Sequence, residues 1–109
     1  MERKIIAYRH YYKEFFDAQE HAVQEKILYG MLLLKTQERL PTKFVKHIRE
    51  GLYELRIEWN SNIYRIFFCF DAGRIVVLFN AFQKKTNKTP EKEIKTALKL
   101  KYEYEHRKQ

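Results

Sequence analysis

Two arginines near the middle of the chain have a spacing that could bring their charges together. Arg56 and Arg65 lie in two runs of alternating apolar and polar residues, Leu52 to Trp59 and Ile63 to Phe70. If the residues between the runs form a two-residue hairpin turn, Arg56 lies directly opposite Arg65. Because a guanidinium group is planar, stays charged and can bind phosphate through two hydrogen bonds, such a pair suits a phosphate ligand.

The hairpin register follows from the distribution of apolar side chains. With Asn60 and Ser61 in the turn, one face of the hairpin collects apolar residues and the other collects charged ones. A register slipped by one residue would set Arg56 against Ile66 and mix the two faces, so it is disfavoured. The apolar face is Tyr53, Leu55, Ile57, Trp59, Tyr64, Ile66 and Phe68, and the charged face is Glu54, Arg56, Glu58 and Arg65.

Two interpretations of the arginine pair remain open at this point. Like charges directly opposite each other in a sheet cost stability. Glu54 and Glu58 could therefore neutralise the arginines in a surface ion network, or the pair could be reserved for an anionic ligand.

A third strand-like run, Arg74 to Phe82, leads into Gln83, Lys84 and Lys85 and could bring a lysine to the same region. Its register depends on the turn at Ala72-Gly73. A two-residue turn would place Asn80, Phe82 and Lys84 on the arginine face. A three-residue turn would instead place Phe79, Ala81 and Gln83 there.

The remaining segments supply the frame for these strands. Ile5 to Tyr8 is predicted as a short strand, and helical spacing begins at His10. A second helix is predicted from about Glu20 to Arg39, with its apolar stripe at Val23, Ile27, Met31 and Leu34 and with Gly30 allowing a close neighbour.

A basic connector, Thr42 to Gly51, then precedes the strands. A last helix is predicted with Thr89 as its N-cap and Pro90 at its first position. The order β-α-α-β-β-β-α predicts one α+β domain over residues 1–109, with a mostly antiparallel sheet, two amino-terminal helices and a carboxy-terminal helix.

Charge favours a polyanionic partner. The net charge is +8 in 109 residues, and five of the eight excess positive charges lie in residues 84–109. The alternative is a solvated, lysine-rich helix that only aids solubility.

Other classes of protein find little support in the sequence. The apolar runs are too short to span a membrane, and the first residues do not resemble a signal peptide. The single Cys69 suits the cytoplasm, and we expect it to be a buried, inert thiol. The histidines have no metal-ligand spacing, and there is no phosphate-binding glycine loop, so neither metal nor cofactor is expected.

The segment GLYELRIEWNSNIYRIFFCFDAGRIVVLFNAFQKKTNKTPEKEIKTALKLKYEY resembles the RelE/ParE toxin superfamily, in particular its phage-derived, HigB-like branch. The specific part is the order of LYELR, YRIFF, an apolar strand, FQKKTNKTP and a closing helix. The resemblance implies an α+β fold whose sheet cradles RNA, with the helices packed on its other side.

The resemblance also implies a function. It implies a type II toxin that cleaves messenger RNA at the ribosome without a metal and so inhibits translation. The 2′-hydroxyl of the RNA attacks the adjacent phosphate, and preorganised cations stabilise the charge that develops. We expect catalytic roles for Arg56, Arg65, Lys84 and Lys85, and RNA contacts from Lys88, Phe82, Asn80, Lys43 and Lys46.

Several points stay open. Tyr102, Tyr104 and His106 are the late candidates for proton transfer, and Phe79 is an alternative to Phe82 for stacking on a base. The alternatives to a nuclease are a ParE-like poison of DNA gyrase and an RNA- or ribosome-binding module without catalysis. The expected partners are the ribosome with messenger RNA, and a HigA-like helix-turn-helix antitoxin through which operator DNA is reached.

Overall fold

The computed structural model describes residues 2–84 and 89–107. Within these ranges the chain forms five strands and three helices, and none of the helices is long and apolar enough to cross a membrane. The elements are β1 (Lys4–Ala7), α1 (Tyr11–Asp17), α2 (His21–Thr36), β2 (Val45–Arg49), β3 (Leu52–Trp59), β4 (Asn62–Asp71), β5 (Ile75–Lys84) and α3 (Glu91–His106).

The strands form one mixed sheet in the order β1-β5-β4-β3-β2. β1 runs parallel to β5, and every other neighbouring pair is antiparallel. The α+β class and the mostly antiparallel sheet are therefore confirmed. One element was missed, because the segment predicted as a basic connector contains the edge strand β2.

The helix α2 packs on one face of the sheet through the stripe predicted for it. Val23, Ile27, Met31 and Leu34 are all buried against apolar residues of β3, β4 and β5. At Gly30 an added Cβ would lie 2.7 Å from Cδ1 of Ile57. The absence of a side chain there is what allows α2 to approach β3 so closely.

The helix α3 packs on the opposite face, which is also the face of the arginine pair. Its Ile94, Ala97, Leu100 and Tyr104 join a second core cluster with Leu52, Phe67, Val77 and Phe79. The resemblance implied helices packed on the side of the sheet away from the RNA. α2 lies on the side away from the arginine pair, whereas α3 packs on the same side as that pair. The reason is that β4 presents apolar Phe67 and Cys69 on the same side as Arg65, and these residues need cover.

The start of α3 also differs from the prediction. The residue before the helix is Pro90, in an extended conformation, and no side chain caps the helix. The hydroxyl of Thr89 instead donates a hydrogen bond to Oε2 of Glu54, at 3.0 Å. Thr89 therefore ties the sheet to the chain that leads into α3, rather than capping the helix.

The first hairpin has the predicted register. Arg56 pairs with Arg65, Ile57 with Tyr64 and Trp59 with Asn62. Both turn residues are in the left-handed region, with φ of +50° at Asn60 and +65° at Ser61. This is the backbone of a type I′ turn, which matches the twist of the strands that it joins.

The second hairpin, β4–β5, has features of both the two-residue and the three-residue turn considered for it. Asp71 pairs with Ile75, so the turn has three residues. A shift in register follows between Ile66 and Phe68, however, and Phe82 then lies opposite Arg65. The three-residue turn is therefore correct, but the bulge returns Phe82 and Lys84 to the arginine face.

Candidate functional site

Six charged residues of the sheet lie in three neighbouring cross-strand rows on the α3 side. The central row places Arg56 on β3 next to Arg65 on β4. The pairing thus brings the predicted residues Arg56, Arg65, Lys84 and Lys46 together on one face. The rows are Lys46–Glu54–Phe67, Arg56–Arg65–Phe82 and Glu58–Ile63–Lys84.

Glu54 and Arg65 form a buried ion pair beneath this surface. Nη1 of Arg65 lies 3.0 Å from Oε1 of Glu54, and their side chains are 5% and 1% exposed. The two atoms do not have hydrogen-bond alignment, so the contact is one of charge, and Oε2 is held by Thr89. Each carboxylate oxygen therefore has a different neighbour, one on β4 and one before α3.

Arg56 is the accessible member of the arginine pair. Its side chain is 41% exposed, and Nη2 lies 3.1 Å from Oε1 of the exposed Glu58. The expectation of ion pairing is thus met by both arginines, but only the Arg56–Glu58 pair is at the surface. Because an exposed pair is held weakly in water, a phosphate can compete for Arg56 far more readily than for Arg65.

The site lowers the pKa of two of its basic groups. Burial lowers the pKa of Arg65, with Glu54 opposing and Arg56 adding to the effect. Burial likewise lowers the pKa of Lys84, and the charges of Arg65, Arg56 and Lys46 lower it further against the opposing effect of Glu54. Lys84 is therefore closer to giving up its proton than an ordinary surface lysine.

A cavity of about 280 Å³ opens beside the arginine pair. Lys43 and Lys46, both exposed, contribute to its wall, which places these two predicted RNA contacts at the site. His47 also lines it, although the sequence pattern did not single out this residue; its ring packs against Tyr53, with 5.0 Å between centroids. The lining residues are Thr42, Lys43, Phe44, Val45, Lys46, His47, Arg56 and Arg65.

Other predicted contacts are not available to a ligand in the same way. Asn80 is 4% exposed, and its Nδ2 donates to the backbone and side-chain oxygens of Glu93, both at 3.1 Å. Phe79 is fully buried, whereas Phe82 is half-buried and packs on Phe67 with 5.6 Å between centroids. Phe82 is therefore the ring that a base could reach. Lys85 and Lys88 lie outside the described residues.

The carboxy-terminal candidates for proton transfer lie elsewhere. The hydroxyl of Tyr104 donates to Oδ2 of Asp71 at 2.6 Å, and Asp71 is six residues along β4 from Arg65, about 20 Å away. Burial and Asp71 raise the pKa of Tyr104. Tyr102 and His106 stack on each other near the end of α3. Tyr104 thus holds α3 to the end of β4 that is distant from the arginine pair.

Comparison with known proteins identifies a family and a similar fold. Residues 14–102 match the family described as Phage derived protein Gp49-like. The structure is similar to the crystal structure of an archaeal RelE–RelB complex from Pyrococcus horikoshii OT3, with a TM-score of 0.50 and 15% sequence identity. That similarity covers 74% of this chain and 93% of the other. Among curated proteins, none matches the chain in sequence.

Proposed function

The chain belongs to the Gp49-like family of phage-derived proteins, and from this membership and its RelE-like fold we propose that it is a toxin of a type II toxin–antitoxin pair. Within that class we assign it to the HigB-like branch. Its activity is cleavage of messenger RNA on translating ribosomes in the cytoplasm, and a single domain over residues 1–109 carries it.

The observation that carries the proposal is the alignment of cationic side chains across four strands. In the three cross-strand rows, Lys46, Arg56, Arg65 and Lys84 stand against the carboxylates of Glu54 and Glu58. Assembling like charges costs stability, which an anionic ligand would recover. Phosphate is the ligand that suits paired arginines with lysines around them.

The arrangement supports different roles for the individual basic side chains in RNA cleavage. The 2′-oxygen bonds to the adjacent phosphorus, the bond from phosphorus to the 5′-oxygen breaks, and a 2′,3′-cyclic phosphate and a 5′-hydroxyl result. Arg56, exposed, binds the scissile phosphate, and Arg65 adds positive potential from below. Lys84, with its lowered pKa, takes the proton that the 2′-hydroxyl loses or gives the one that the 5′-oxygen needs.

A partner is part of the proposal, since an unrestrained messenger nuclease would arrest its own cell. The archaeal structure is of RelE in complex with RelB. By analogy, we expect a partner antitoxin for this chain, of the HigA-like helix-turn-helix type, and we expect operator DNA to be bound through the antitoxin.

The test compares Arg56, on β3, with Arg74, in the turn between β4 and β5. Arg56→Gln removes the accessible charge at the site, while Arg74→Gln removes an exposed charge in the β4–β5 turn. Each protein is induced in a bacterium, growth is followed, and messenger 5′ ends are mapped. We expect wild type and Arg74→Gln to arrest growth with new ends in translated messages, and Arg56→Gln to cleave about 10²- to 10³-fold more slowly.

The other outcomes identify the alternatives. Growth arrest with intact messenger and broken DNA would overturn the nuclease assignment in favour of a gyrase poison. If purified wild type binds ribosomes or RNA and no new messenger ends appear, the chain is a binding module. Equal cleavage by both arginine variants would remove Arg56 from the site.

A further inference from the structure

A second cavity adjoins the one beside the arginine pair. It has a volume of about 230 Å³, and the two cavities share Lys43, Phe44 and Arg56. Three residues of α2, Lys26, Tyr29 and Gly30, complete its wall together with Ile57 and Glu58 of β3. A groove therefore leads from the arginine pair around the edge of the sheet to α2.

The groove exists because β2 is shorter than β3. The backbone N–H of Arg56 donates to the carbonyl of Phe44 at 2.7 Å, and the pairing of β2 with β3 begins at Val45 and Leu55. Within the described residues, the end of β3 beyond Arg56 pairs with β4 alone. The groove lies where a longer β2 would pair with this end of β3.

The side chains of this second cavity suit a nucleotide. Lys26, Lys43 and Arg56 supply three positive charges, and Glu58 supplies one negative charge. Tyr29 is 56% exposed, so much of its ring is free to contact a ligand. A base stacks on such a ring whatever its identity, and lysines beside the ring can hold the phosphates on either side of the base.

Tyr29 belongs to this groove and not to the apolar patch near it. Leu28 and Leu32 are also exposed on α2, but they line a different cavity, between α2 and β1. The charged surroundings of Tyr29 favour RNA over an apolar protein segment. A protein partner bound at Leu28 and Leu32 would therefore occupy a different surface from the groove.

We propose that this second cavity is a subsite for a nucleotide adjacent to the scissile phosphate of single-stranded RNA. Tyr29 stacks on the base, and Lys26 and Lys43 bind its phosphates. The inference rests on the proposed function in that it takes RNA as the ligand of the arginine pair. It adds the path that the RNA follows away from that pair.

The test uses RNA that cannot be cleaved. A short fluorescent single-stranded RNA with 2′-O-methyl groups lacks the attacking hydroxyl, so its anisotropy reports binding without cleavage. Tyr29→Leu removes the aromatic ring but keeps an apolar side chain on α2. The matched control is Tyr102→Leu, since Tyr102 is 64% exposed on α3, well away from the groove.

We expect Tyr29→Leu to weaken RNA binding about 10-fold, the effect of losing one base–aromatic stack, and Tyr102→Leu to bind as wild type does. Tyr29→Trp should restore the affinity. Equal affinities of the Tyr29→Leu and Tyr102→Leu variants would overturn the subsite. The result is independent of the nuclease assignment: a wild type that binds RNA through Tyr29 but leaves messenger intact keeps the subsite and loses the proposed activity.

Discussion

Glu54 and Glu58 lie four residues apart on β3, and each faces one arginine of the pair. Their environments differ: the Glu54–Arg65 pair is almost wholly buried, and the Arg56–Glu58 pair is exposed. In water an exposed ion pair adds little, whereas a buried arginine that loses its partner is left with an uncompensated charge. The two glutamate–arginine pairs therefore contribute differently to the stability of the fold.

This difference gives a prediction for stability. Glu54→Gln should lower the free energy of unfolding by about 3 kcal/mol or more, because it leaves Arg65 buried without a counter-charge. Glu58→Gln should lower it by less than about 1 kcal/mol. Urea denaturation of the two variants, followed by circular dichroism, measures both values. Similar losses in the two variants would contradict the buried pairing.

The alternation of residues was enough to predict the arginine pair but not its depth. Alternation places Glu54, Arg56, Glu58 and Arg65 on one face of the hairpin, and this is where they lie. Burial of Glu54 and Arg65 depends on Thr89 and α3, which reach that face from the other end of the chain. The local alternation of residues does not show that segments distant in the sequence will bury these two side chains.

Among the elements, the β3–β4 turn holds two ordinary residues in a conformation that favours glycine. Asn60 tolerates the left-handed region better than most residues, but Ser61, at φ +65°, is strained there. The β4–β5 turn has Gly73 at φ +70°, with nothing within 4 Å of an added Cβ. The preference of a left-handed backbone for glycine can therefore be tested by introducing a glycine at position 61 and by removing the glycine at position 73.

We predict that Ser61→Gly raises the free energy of unfolding by about 1 kcal/mol and that Gly73→Ala lowers it by a similar amount. Neither change removes a buried contact, so the backbone preference should dominate. Thermal and urea unfolding of both variants provide the measurement. A loss of stability in Ser61→Gly would show that the serine side chain has a role that its backbone conformation does not reveal.

The strand β2 shows where sequence reasoning fails at the level of elements. Lys46, His47 and Arg49 make this segment look like a solvated connector. Edge strands, however, commonly carry charged side chains, which discourage pairing with other chains. Half-buried Val45 and Ile48 supplied the remaining signal, and two apolar residues were too few to predict a strand.

For the molecule as a whole, the basic residues differ in whether they lie near the two cavities. The excess positive charge is concentrated in residues 84–109, yet the cavities are lined by Lys26, Lys43, Lys46 and the arginine pair. The exposed lysines of α3 line neither of these two cavities. Charge composition predicts a polyanionic partner, and of the basic residues in 84–109 the described structure brings Lys84 to the arginine pair.

Salt dependence distinguishes the two groups of lysines. For single-stranded RNA, the logarithm of the binding constant should fall with the logarithm of salt concentration with a slope of about −0.7 for each phosphate contacted, or about −3 for roughly four. Lys43→Gln should make the slope less steep by about 0.7. Lys99→Gln, an equal loss of charge on the exposed face of α3, should leave the slope unchanged. Equal effects would mean that binding is spread over the whole basic surface.

The parallel pairing of β1 with β5 has a consequence for the order in which the molecule is assembled. Lys4 pairs with Ile75, and the side chain of Arg3 then binds the carbonyl oxygens of Leu34 and Gln37 at the end of α2. β1 is synthesised before β5 and can pair with it only after β5 has left the ribosome, while the β3–β4 hairpin can form from neighbouring residues. Closing so long a loop is slow and entropically costly. A partly synthesised chain can thus pair its two arginines before β1 and β5 meet.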